Sequence, residues 1–196
     1  MRRRKVFTTI WVAALGVCLA TAPQVAAAPV GSAQGPEDLS GVAVRYVKSR
    51  TPEEAQRILD QRSNGFQPYA IEEKYGPCTL YPRNVHVRTK TGDGDAEIIG
   101  FKPKTECSQP VESIKHESTL KYKYYAWWRD APLKFGVPTR SGNRGVARLE
   151  QRNVEFHCNG LVDTTFIGHT VGTIVANGET FHAAVNTDVF RNRCRV

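Results

Sequence analysis

The stretch Gly172-Thr173-Ile174-Val175-Ala176-Asn177-Gly178-Glu179-Thr180-Phe181-His182-Ala183-Ala184-Val185 decides the fold class. β-Branched and aromatic residues flank Asn177-Gly178, a pair that tolerates the positive φ angles of a two-residue hairpin turn. Such residues fit a pleated, half-buried surface, so the stretch predicts two antiparallel strands joined tightly. Upstream, Val154-Glu155-Phe156-His157-Cys158 and Val162-Asp163-Thr164-Thr165-Phe166 have the same texture. Val85, Val87 and Thr89 alternate with His86, Arg88 and Lys90. After the turn Thr91-Gly92-Asp93-Gly94-Asp95 comes Ala96-Glu97-Ile98-Ile99-Gly100-Phe101, closed by Pro103. These two runs predict a second hairpin with a longer loop. Val42, Val44 and Tyr46 alternate with Ala43, Arg45 and Val47 as one more short strand. Short strands at this spacing predict a mainly β protein, an antiparallel sandwich or barrel-like domain.

One N-terminal helix is legible beside the strands. Thr51 can cap it, Pro52 takes the first helical position and Glu54 completes a capping box. Ala55, Ile58 and Leu59 fall on one face, and Ser63-Asn64-Gly65 supplies the stop.

The chain opens Met1-Arg2-Arg3-Arg4-Lys5, continues apolar through residues 6–20 and reaches Val25-Ala26-Ala27-Ala28. A basic start, an apolar run and a small-residue site make a secretory signal peptide. The run is too short and interrupted for a spanning helix of ~20 residues. Cleavage is expected after Ala27, since Pro29 disfavours a cut one residue later. Val17 stands where a lipoprotein signal ending at Cys18 wants a small residue. The arginine cluster lacks the hydrophobic pattern of twin-arginine export, so the general route is favoured. The organisation expected is a signal at 1–27, a flexible Pro-, Gly- and Ser-rich segment at 28–41, a helical segment at 42–65 and a β domain at 66–196. No membrane span is expected once the signal is removed, and the localisation expected is extracellular.

Signal removal changes the charge. The whole chain carries a formal +8, but four of its 27 basic residues and none of its 19 acidic ones lie in residues 1–27, which leaves +4. That mild excess is no nucleic-acid footprint. Cys18 leaves with the signal, and Cys78, Cys107, Cys158 and Cys194 remain. An even number of cysteines in an exported chain points to disulfides. Three pairings are open; Cys78–Cys107 with Cys158–Cys194 is favoured because both loops are moderate. Each bridge would stabilise by roughly 3–4 kcal/mol through loop closure. The absence of any C-x-x-C spacing argues against structural zinc.

The segment Leu120-Lys121-Tyr122-Lys123-Tyr124-Tyr125-Ala126-Trp127-Trp128-Arg129 is the most distinctive. As a single strand it lines one face with Leu120, Tyr122, Tyr124, Ala126 and Trp128. Lys121, Lys123, Tyr125, Trp127 and Arg129 then form the other face, a mixture of rings and cations able to stack on sugars and meet anionic groups. These five are the candidate ligand-binding residues. A helical spacing also fits Leu120, Tyr124, Trp127 and Trp128, but the aromatic content favours a strand.

Catalytic motifs are missing. His116-Glu117 begins like a zinc-protease helix, but Leu120 occupies the second ligand's position. His157, His169 and His182 lie on or beside expected strands without ligand spacing, and His86 stands alone. There is no Gly-x-Ser-x-Gly elbow, phosphate loop or dinucleotide fingerprint. Ser141-Gly142-Asn143-Arg144-Gly145 reads as a surface loop. Carboxylates such as Asp93, Asp95, Glu97 and Glu106 are available, but a sequence does not set their separation. No catalytic residue, metal ligand or cofactor is assigned.

Cys158-Asn159-Gly160, Thr164-Thr165-Phe166-Ile167-Gly168, Asn177-Gly178-Glu179-Thr180-Phe181 and Cys194 together resemble the C-terminal pattern of small exported proteins of high-GC Gram-positive bacteria. The resemblance implies export, β structure and a Cys158–Cys194 bridge, and it carries over no catalytic residue. Taken together, the sequence favours a secreted, non-enzymatic binding protein for an envelope polysaccharide or an extracellular protein, with no nucleic-acid partner. The alternative is a secreted hydrolase with a dispersed, motif-less active site.

Overall fold

The computed structural model describes residues 41–63, 75–88 and 97–196. The expected signal peptide, residues 28–40, and the turn at 91–95 lie outside them. In chain order the elements are β1 (Val44–Lys48), α1 (Pro52–Ser63), β2 (Tyr75–Tyr81), β3 (His86–Arg88), β4 (Ile98–Phe101), β5 (Lys104–Tyr124), β6 (Trp127–Asp130), β7 (Thr139–Glu150), β8 (Val154–His157), β9 (Asp163–Ala176), β10 (Glu179–Asn186) and β11 (Phe190–Arg193). The protein is mainly β, with one helix. Strands β9, β10, β1, β2 and β5 pair in that order, and β5 pairs again with β9, which closes a five-stranded antiparallel barrel. β6 and β7 add to β5, β11 adds to β9, and β3, β4 and β8 form a second sheet.

Local chemistry explains several elements. Asn177 and Gly178 both hold positive φ, 53° and 72°, and Ala176 faces Glu179 across the expected turn. The β3–β4 hairpin pairs His86 to Arg88 with Gly100 to Ile98. At the start of α1, Glu54 N–H donates to Thr51 Oγ1 as in a capping box, and the return bond to the Glu54 carboxylate comes from Arg50 N–H, one residue earlier than usual. Buried Ala55 belongs to the helix, which packs against β10.

Residues 163–166 are strand as expected, and they continue unbroken in β9 into the hairpin. Two readings are corrected by long-range pairing. Ser141-Gly142-Asn143-Arg144-Gly145 is not a loop, because Ser141 to Arg144 face His116 to Ser113 within β7. The aromatic segment is not one strand but the end of β5, a two-residue turn and β6.

The long β5 and β9 set the interior. Their facing pairs Ile114/Ile174, His116/Gly172, Ser118/Thr170, Leu120/Gly168 and Tyr122/Phe166 point inward together. Two apolar clusters result. One, inside the barrel, includes Tyr46, Leu80, Ile114, Leu149, Ile174, Phe181 and Val185. The other, between the barrel end and the second sheet, includes Ile99, Phe101, Leu120, Leu133, Phe156 and Phe166.

A polar belt separates them. Tyr46 Oη bonds Thr105 Oγ1 at 2.7 Å, and Thr105 Oγ1 bonds His116 Nε2 at 2.7 Å. Ser118 Oγ donates to Gln151 Oε1 and bonds Thr170 Oγ1, while Gln151 Nε2 donates to the Thr139 carbonyl. Such groups are tolerated at full burial because each is hydrogen-bonded. Gly172 is required here: a Cβ on it would collide with Tyr46 Oη.

Both expected disulfides form. Cys78–Cys107 crosses directly between paired residues of β2 and β5, beside the barrel core. Cys158–Cys194 joins the end of β8 to the chain after β11, within the second core.

Gly172→Ala should destabilise by about 3 kcal/mol in denaturant unfolding, as an overpacked core substitution whose clash displaces a hydrogen-bonded ring. Tyr46→Phe in the same chain should recover part of the loss; no recovery would place the clash elsewhere. Replacing Cys158 and Cys194 together with serine should cost about 4 kcal/mol, given the loop that the bridge closes. A midpoint unchanged under non-reducing conditions would show that the bridge carries no constraint.

Candidate functional site

The candidate site begins with the β5–β6 hairpin. Its facing pairs are Tyr124/Trp127, Lys123/Trp128, Tyr122/Arg129 and Lys121/Asp130. Residues facing one another in an antiparallel pair share a side of the sheet. Tyr122, Tyr124, Trp127 and Arg129 therefore share one side, and Lys121, Lys123, Trp128 and Asp130 the other. The five predicted residues are thus divided: Trp127 and Arg129 lie with the core-side row, Lys121 and Lys123 lie on the outer side, and Tyr125 sits in the turn. The physical reason is the reversal at Tyr125-Ala126, which resets the alternation.

Cations order the rings. The Arg129 guanidinium lies 4.3 Å from the Tyr124 ring centre, and Lys123 Nζ lies 5.7 Å from that of Trp128. Tyr124 and Tyr125 meet edge to face at 4.8 Å. Exposure rises toward the tip: Tyr124 is 44 % exposed, Trp127 71 % and Tyr125 85 %. Tyr125 holds φ 53°, a left-handed conformation that disfavours a bulky side chain.

Two depressions flank this end. A groove of about 300 Å³ is lined by residues including Tyr122, Tyr124, Tyr125, Val162, Thr164 and Arg195. A second, of about 530 Å³, lies on the β9–β11 pair and is lined by Asp163, Thr164, Thr165, Arg191, Asn192 and Arg193. The sequence reading missed the second depression. Its signal was the alternation of Arg191, Arg193 and Arg195, which passes as an ordinary charged C-terminus until β11 pairs with β9.

The histidines are distributed rather than gathered. His116 is inside the barrel. His169 Nδ1 bonds Asn186 Oδ1 at 2.8 Å, and His182 Nδ1 bonds Thr173 Oγ1 at 3.0 Å. Among the described residues no group of three histidine, cysteine, aspartate or glutamate side chains is placed to hold a metal. Glu106 pairs with Lys104, which holds its carboxyl below the usual range, and Glu97 accepts from Asn192 Nδ2. Asp93 and Asp95 lie outside the described residues. No protein-family model matches the chain, and no curated protein or solved structure is significantly similar to it.

Burial pushes the His116 imidazole down from 6.5 to about 4, so the fold holds the ring neutral. Its stabilisation is complete above pH 6.5 and declines as pH falls toward 4, where the unfolded chain takes a proton that the folded one refuses. The loss across that window is on the order of 3 kcal/mol. Burial lowers His169 and His182 in the same direction, so they add with the same sign. His116→Gln should flatten the stability curve between pH 6.5 and 4, measured by urea unfolding at each pH. An unchanged slope would reject His116 as the main source.

Proposed function

We propose that this is a secreted, non-enzymatic binding protein, and that the aromatic hairpin end is its ligand surface for an envelope polysaccharide. The observation that carries the reading is Tyr125. An 85 % exposed tyrosine occupies a left-handed turn position beside the exposed Trp127. Holding a bulky residue there costs roughly 1–2 kcal/mol, with no burial of its ring in return. Such strain is concentrated at functional sites, and here its product is the display of an aromatic ring.

The groove chemistry supports a sugar. Tyr124 and Tyr125 line the groove with flat apolar surface, Trp127 stands exposed opposite Tyr124 in the hairpin, and Lys123, Asp163, Thr164 and Arg195 supply donors and acceptors at the groove wall. A sugar has the matching combination of an apolar ring face and a hydroxylated rim. The cation–ring contacts limit the motion of Tyr124 and Trp128, which reduces the ordering cost on binding. The two disulfides suit an oxidising, extracellular setting. The N-terminal signal pattern and the resemblance to small exported proteins support the same location.

Several titratable groups weighed for a hydrolase are bonded within the fold. His116 serves the buried belt, His169 and His182 bond neighbouring strands, and Glu106 pairs with Lys104.

The test is retention on insoluble cell-wall polysaccharide. Tyr125→Ala with Trp127→Ala should weaken binding by tenfold or more, at about 1–3 kcal/mol per stacked ring, with an unchanged circular dichroism spectrum. Equal retention of the two proteins would remove the hairpin from the ligand surface.

A further inference from the structure

Arg191 and Arg193 stand two residues apart on β11, so their side chains leave the same side of the strand. They face Thr165 and Asp163 of β9. The β5–β9 register continues this surface: Lys121 faces Ile167, which shares its side of β9 with Thr165 and Asp163. Lys121, Lys123, Arg191 and Arg193 therefore lie on one side of the sheet, opposite Tyr122, Tyr124 and Trp127, and Ile167 on that side is buried. Lys121 is 3.6 Å from Asp130. Among the described residues neither Arg191 nor Arg193 is in an ion pair. The arginine depression and the aromatic groove share Asp163 and Thr164, so they meet at the start of β9.

We infer that the ligand is a carboxylate-bearing polysaccharide, a sugar ring on Tyr125 and its carboxylates over the shared wall on Arg191 and Arg193. This rests on the reading of the hairpin as a glycan surface. A uronate sugar carries its carboxylate at the ring edge, which leaves the ring face free to stack. The guanidinium fork matches a carboxylate through two parallel N–H···O bonds, and the Thr165 hydroxyl adds a donor in the same depression. Asp163 within the depression and Asp130 beside Lys121 repel a densely charged polyanion. The formal charge beyond residue 27 is also mild for a nucleic acid. One acid group per sugar or per few sugars fits that balance.

The experiment compares the protein's affinity for alginate and for the same alginate with its carboxylates reduced to alcohols. Alginate should bind roughly tenfold tighter, the scale of charge-assisted hydrogen bonds, and added salt should erode only that difference. Arg191→Ala with Arg193→Ala should abolish the preference, bringing alginate affinity down to that for the reduced polymer. Matching thermal unfolding would show that the fold is retained. Equal affinity for the two polymers, or unchanged alginate affinity in the arginine variant, would overturn the inference. Tyr125→Ala should weaken binding to both polymers. If it weakens neither while the arginine effect persists, the aromatic reading falls and the carboxylate site stands. If wild type binds neither polymer, both fall.

Discussion

Residues 113–122 of β5 lie alongside residues 166–175 of β9, and this ladder turns a run of neighbouring strands into a closed ring. Without it the barrel would open between these two strands and expose two rows of unpaired N–H and C=O groups, a strand edge that proteins generally cover. The ladder also fixes register. Side chains alternate with a period of two, so a slip of one residue would turn Ile114, Leu120, Ile174 and Phe166 outward together. The apolar clusters, the belt between them and the placement of β6 and β11 all inherit that register.

The belt is the costly part of the design. Two apolar clusters would pack most simply as one continuous core, yet Thr105, His116, Ser118, Gln151 and Thr170 are buried between them. Strands distant in sequence bring most of them a partner, Tyr46 from β1, Thr170 from β9 and Gln151 from just after β7, while His116 bonds Thr105 of its own strand. A register slip would break these bonds as well as expose apolar side chains, so the belt penalises alternatives more than apolar packing alone. Its price is acid sensitivity, since His116 is held neutral with Nδ1 buried and without a partner among the described residues.

At the far end, β5 outruns the barrel. Its last residues pair with β6 rather than with the ring, and β9 there takes β11 as its neighbour. This extension has two different sides: one carries the aromatic row down into the second core, the other carries cations. The Cys158–Cys194 bridge and the Cys194 N–H to Val162 carbonyl bond hold the adjoining chain in place. The proposed ligand surface therefore rests on a braced strand end, which suits recognition better than a free loop.

The sequence by itself determined the local features. Asn177-Gly178 supplies the φ angles its turn requires, Thr51, Pro52 and Glu54 start the helix, and four cysteines in a strand-rich chain supply two bridges. Each of these depends on residues close together or on chemistry that needs no neighbour. The long strands were not legible. The segment from Lys104 to Tyr124 is broken by Pro110 and filled with charged and hydroxylated residues, so its local pattern is weak; its strand state comes from β2, β6, β7 and β9. The candidate site shows the same division. Rings and cations at residues 121–129 marked the region, but which of them share a face was decided by the reversal at Tyr125. Arg191 and Arg193 joined that region only through pairing with β9, because a strand's neighbours are chosen by burial and hydrogen bonding across the fold rather than by adjacency in the chain.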